Sequence, residues 1–271
     1  MTMPDTDYFL HVNITVPEDK HLEYERLVTE FVAEPAPFKR FSKKANYSLD
    51  LALRSKDPFQ FQDSPQAWAL SSRADFSKRA AGYHDSMLER QPMVHQYVHV
   101  WSVPDIDDLD LARLMMKVAD YKPYMDINSL ILREEQVFVR KVKLPGALDD
   151  RGYGKNFVRL TRRFESKGIG PYLFKAGALV PELKRNGWYP LGQYQNVTGA
   201  LNVVTEFWET DEPTSLESMM KAFTGYAPRL RELLVDQMLE LIRSERREAL
   251  TIASYAPKRS QSARSASVRA S

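Results

Sequence analysis

The stretch Met93 to Val103, MVHQYVHVWSV, alternates with a period of two. It sets His95, Tyr97, His99 and Trp101 on one face of an extended chain and Val94, Val98 and Val100 on the other. One face is equipped for chemistry and the other for packing. A second stretch, Ala200 to Glu209 (ALNVVTEFWE), repeats the design: Glu206-Phe207-Trp208 stands in the place of His99-Val100-Trp101, and Asn202 in the place of His95. The repeat implies two related halves.

Outward from these strands, Tyr8 to Val16 alternates as a strand stopped by Pro17, and Leu22, Tyr24, Leu27, Val28, Phe31 and Val32 then recur at helical spacing. An insertion spans about residues 35–91, with a strand at 47–53 and a helix near 66–90. After the Met93 strand come a helix over about 107–121 and a strand at 136–144. Pro145 to Lys155 (PGALDDRGYGK) is rich in turn formers and marks the boundary between the halves. The second half reads as a strand at 157–164, a helix at 170–185, strands at 188–197 and 200–209 joined at Thr198-Gly199, and a short helix at 215–223. A longer helix opens at Pro228, its apolar stripe running through Leu241 and Ile242, and a last strand covers 249–255.

Each half fits the split β-α-β, ferredoxin-like pattern, so the fold class is α+β: two tandem halves, residues 7–145 and 156–256, with antiparallel sheets and helices outside. Helices cover only one face of such a sheet, and the other face must be buried. The two sheets are therefore expected to pack face to face as a barrel-like sandwich, with His95, Tyr97, His99 and Trp101 pointing to its interior.

Composition narrows the chemistry. With no cysteine there is no disulfide, thiolate nucleophile, iron-sulfur cluster or cysteine zinc site. No signal-like N-terminus or membrane-length apolar run occurs, which points to a soluble cytoplasmic protein with no membrane partner. The net charge of +2 depends on Lys258, Arg259, Arg264 and Arg269; without them the body stands at −2. Their segment, 257–271, reads as a disordered, solvated basic tail rather than a specific nucleic-acid arm. Dinucleotide, Walker, His-Glu-x-x-His and Gly-x-Ser-x-Gly motifs do not occur.

Gly199-Ala-Leu-Asn202-Val-Val-Thr-Glu-Phe-Trp208 resembles the Gly-x-x-Asn-x-x-x-x-x-Trp strand of NIPSNAP-type domains, and His99-Val-Trp101 looks like the same strand with its usual histidine kept. The resemblance implies the dimeric α/β-barrel superfamily for both halves. That superfamily includes cofactor-free monooxygenases, cyclases and isomerases, haem enzymes such as chlorite dismutase, and domains with no known chemistry. This chain departs from the pattern at Glu206, where the histidine is expected.

The candidate catalytic residues are His99 and His95 as proton acceptors, supported by His11 and Tyr97. Strand pairing is expected to bring His11 beside one of the other two. Asn202, Glu206, Arg159 and Asn13 are candidates for orienting an anion, and Trp101 and Trp208 for the walls of a pocket for an aromatic or polyketide-like molecule. These assignments describe a cofactor-independent enzyme of secondary metabolism, a monooxygenase or a cyclase/isomerase, acting on a small hydrophobic partner. A non-catalytic NIPSNAP-type binding or scaffold protein is the alternative, and homo-oligomers suit either. No metal is expected. His95 and His99 lie about 13 Å apart along a strand, so the one workable iron set is His11, one of that pair and Glu206. Haem is disfavoured because all five histidines precede residue 100.

Overall fold

The computed structural model describes residues 8–33, 37–40, 47–60, 92–103, 121–142, 154–165, 167–211 and 240–257. The helices expected at 66–90, 107–121 and 215–223, most of the one opening at Pro228, and the basic tail lie outside them.

Nine strands are described: β1 (Tyr8–Pro17), β2 (Ser48–Ser55), β3 (Phe59–Gln60), β4 (Met93–Ser102), β5 (Arg133–Lys141), β6 (Asn156–Phe164), β7 (Trp188–Asn196), β8 (Val203–Thr210) and β9 (Ile242–Ile252). Three α-helices accompany them: α1 (His21–Val32), α2 (Lys122–Asn128) and α3 (Ile169–Arg185). The strand order is β1-β5-β7-β8-β6-β9-β2-β4-β3, and β1 also pairs with β4, so eight strands close a barrel and β3 extends β4's partner edge. Within the first half the order β5-β1-β4-β2, and within the second β7-β8-β6-β9, is that of two ferredoxin-like units. The sheets do more than stack as a sandwich. They join edge to edge through β5–β7 and β2–β9, each seam carrying three residue pairs.

Three apolar clusters fix the layers. One fills the barrel and draws on both halves, with Phe9, Leu51, Leu53, Val98, Val100 and Val139 meeting Phe157, Leu191, Tyr194, Phe207 and Leu250. A second lies between the first-half sheet and α1, where Val12, Ile14, Val16, Tyr97 and Trp101 meet Tyr24, Val28 and Phe31. The third lies between the second-half sheet and α3, where Val158, Leu160, Val204 and Trp208 meet Tyr172, Leu179, Val180 and Leu183.

These layers reverse the expected orientation of the central strand. Val98 and Val100 face the barrel interior, whereas Tyr97 and Trp101 lie under α1. The physical reason is that both faces of β4 are buried, one by the barrel and one by the helix. Alternation separates the two faces without saying which is inside.

A second difference concerns β9. It begins at Ile242, so residues assigned to the end of a helix are strand, and Leu241 and Ile242 pack against the α3 cluster.

Candidate functional site

Among the described residues, chemistry-bearing side chains gather under α1, under α3, and in the mouth of the barrel.

Under α1, β1, β4 and β5 present Leu10, Val12, Ile14, His99, Trp101, Glu134 and Gln136 toward Tyr24, Val28 and Phe31 of α1 and Tyr124 and Ile127 of α2, enclosing a cavity of ≈ 90 Å³. Its wall is almost wholly apolar, and His99, 3% exposed, is the one histidine among its described lining residues. His99 Nε2 and the Tyr255 hydroxyl share a hydrogen bond of 2.6 Å. Burial drives the His99 pKa down to about 3, so its imidazole is neutral, and burial also raises the Tyr255 phenol well above its ordinary range. Tyr255 also meets Tyr24 of α1 edge to face, ring centroids 6.5 Å apart. It lies just beyond β9, which crosses from the second half to pair with β2, where Ala253 N–H donates to Ala52 O. The histidine lining the first-half cavity is thus held from behind by a residue of the second-half segment. The sequence placed Tyr255 in a strand and gave it no site role; nothing local marks it, because its partner lies 156 positions away.

The other residues of that face stay outside the cavity. His95 sits at the edge of the layer, its ring 4.6 Å from that of His21 and its Nδ1 3.4 Å from Ser55 Oγ. Its pKa is lowered by burial and by the neighbouring His21 and Arg54. Tyr97 donates to Glu25 and packs on Tyr24.

Under α3, the corresponding space is occupied. Glu206 holds the position equivalent to His99 and accepts from Arg162 at 2.9 Å, from Trp208 Nε1 at 3.0 Å, and from Tyr172 and Gln193. Arg162 also pairs with Glu245 at 2.5 Å. Desolvation opposes the Arg162 charge, but Tyr172, Glu206 and Glu245 outweigh it and push its pKa up. The two halves therefore differ: one has a cavity beside a neutral histidine and the other a buried ion network. Glu206 and Trp208 belong to that network and are not pocket walls. Asn202 is a fastener: its Nδ2 donates to Phe164 O at 2.5 Å, and Phe164 N–H donates to Asn202 O.

In the mouth of the barrel, a polar cavity of ≈ 390 Å³ is lined by residues of seven barrel strands, among them His11, Asn13, Gln96, Arg159, Thr205, Arg246 and Glu248. Arg159 donates to Glu248 and to Asn13, tying β6 to β9 and to β1 of the other half. His11 forms the floor, its ring 4.6 Å from Tyr194 and 5.5 Å from Phe207. Desolvation, then the Arg159 charge, lowers its pKa to about 3.

His11 therefore does not meet His95 or His99. Its neighbour across the β1–β4 pair is Val100, while His99 pairs with Val12 and points to the opposite face. The iron set of His11, one of the β4 histidines and Glu206 is divided among three separate compartments.

No family model matches the sequence, and no curated protein matches it. Solved structures similar to the chain include an anthrone oxidase-like protein, at 10% identity and a TM-score of 0.48, covering 94% of each chain. A chlorite dismutase mutant from Candidatus Nitrospira defluvii has 9% identity and a TM-score of 0.44, covering 93% of this chain and 92% of that one. An uncharacterised NIPSNAP domain protein from Burkholderia xenovorans has 13% identity and a TM-score of 0.31, covering 38% of this chain and 98% of that one. The strand order and closure described above make this chain a dimeric α/β-barrel arrangement built within one polypeptide.

Proposed function

We propose that the cavity under α1 binds a small aromatic or otherwise hydrophobic carbonyl compound, and that His99, held by Tyr255, takes a proton from it in a cofactor-independent oxygenation or isomerisation. The observation that carries this reading is a neutral imidazole, bonded to a phenol, inside an otherwise apolar chamber. At ≈ 90 Å³ the chamber is of the order of the ~150 Å³ apolar cavity that takes up benzene, and well below the ~300–1,000 Å³ of drug-sized pockets. That size suits a single ring better than a polycycle.

Trp101 and Phe31 form walls against the ring, and Tyr255 fixes the imidazole while supplying or accepting a hydrogen bond. The imidazolium formed on proton abstraction is disfavoured alone in this environment and is stabilised only beside the anion it creates. The enolate or phenolate then regains the proton at a new carbon, or is captured by O2. In that second case one oxygen atom enters the substrate as a carbonyl, the other leaves as water, and the oxidised methylene carbon supplies the electrons.

The test is the exchange of solvent deuterium into the α-carbon of single-ring aryl ketones, followed by NMR, together with oxygen uptake. His99→Ala lowers either rate by at least about 100-fold, the scale of a lost acid-base group, with the far-UV spectrum unchanged. Equal rates in the variant and the parent remove the assignment.

A further inference from the structure

The barrel mouth is a second, chemically different compartment that the proposed reaction does not use. Arg133, Arg159 and Arg246 face Glu135 and Glu248 there, an excess of one positive charge among the described lining residues. Glu248 is shared by two guanidinium groups: Arg159 bonds it directly, and Arg246 lies 2.6 Å from it. The remaining polar lining is neutral and hydrogen-bonding, with Asn13, Thr15, Gln96, Thr161, Asn196 and Thr205 distributed over β1, β4, β6, β7 and β8.

A second feature points the same way. His11 is 5% exposed, lines the floor, and its Nε2 has no hydrogen-bond partner among the described residues. A buried polar atom left unmatched carries a desolvation cost that a hydrogen bond to it relieves.

We propose that this mouth binds a small hydroxylated carboxylate: the carboxylate lies against the Arg159–Arg246 side and the hydroxyl groups meet the threonine and amide ring. The charge surplus favours a monoanion, because a guanidinium matches a carboxylate in shape and charge. The hydroxyl requirement follows from desolvation, since an apolar tail would leave the surrounding amides and threonines without partners. The volume of ≈ 390 Å³ falls within the range of small-molecule sites. The site is built from both halves and exists only in the closed barrel.

Isothermal titration of the full chain with gluconate, hexanoate and glucose tests this. Gluconate is expected to bind with a Kd below about 1 mM, and hexanoate and glucose at least tenfold more weakly. Arg246→Gln, at the rim, is expected to weaken gluconate at least tenfold, and Thr205→Val several-fold; Thr205→Val carries the test should the arginine variant fail to fold. Because His99→Ala lies in the other compartment, it is expected to leave gluconate binding unchanged. The proposal is overturned by a gluconate Kd weaker than about 1 mM, by equal affinity for hexanoate or glucose, or by full affinity in the folded rim variants.

Discussion

His11 and His99 are neutral imidazoles whose folded-state pKa values, about 3, lie below the ordinary 6.5. Between those limits the unfolded chain binds more protons than the native one, so their contribution is fully present above about pH 6.5 and is lost as the pH falls toward 3. Each accounts for on the order of a few kcal/mol. Asp50 acts in the opposite sense. Burial raises its pKa from 3.8 to about 6, so it favours the folded state at low pH and loses that contribution as the pH climbs through 6. Urea midpoints at about pH 4.5 and pH 7 should show the acid side as the weaker, and His99→Gln should flatten the difference. Arg162 gives a harsher test. Arg162→Met leaves Glu206 buried without its cation and should cost about 3–5 kcal/mol by urea unfolding.

At the scale of single elements, β4 and β9 show what the sequence could and could not reveal. The alternation of β4 was plain from its residues, and so was the pairing of chemistry on one face against valine on the other. Its orientation was hidden, because a barrel wall beneath a helix buries both faces. Arg159 and Asn13 were legible as candidate polar groups, and in the fold they meet across the halves. In β9, Ser244 to Glu248 carries charge on both faces: Glu248 pairs inward with Arg159, and Glu245 pairs outward with Arg162. A strand whose two faces are both matched by ion pairs has no apolar rhythm to read, and the neighbouring leucine stripe extended the helical reading into it. In β7 the Gly192 backbone leaves room for the Tyr194 ring, whose atoms would stand 2.5–2.7 Å from a Cβ at that position. Gly192→Ala should therefore destabilise the protein by about 1–3 kcal/mol in thermal or urea unfolding, and it should shift the His11 ring resonances because Tyr194 packs on them.

For the whole molecule, closure rests on two short seams and on an interior core to which both halves contribute. Neither half can bury that core alone. The full chain should unfold in one calorimetric transition, with matching van't Hoff and calorimetric enthalpies, and a fragment covering residues 154–257 should self-associate on size-exclusion chromatography. Deleting residues from Ser254 onward should remove the hydroxyl that holds His99 and the Ser254 contact to Glu25, leaving a folded barrel that no longer supports exchange at the α1 cavity. The position of Tyr255 also sets an order of assembly. During synthesis the first half emerges first, yet His99 stays without its partner until β9 has left the ribosome and docked beside β2. A nascent chain stalled before that point carries the imidazole without its phenol, so the His99–Tyr255 hydrogen bond forms only after translation has passed residue 255.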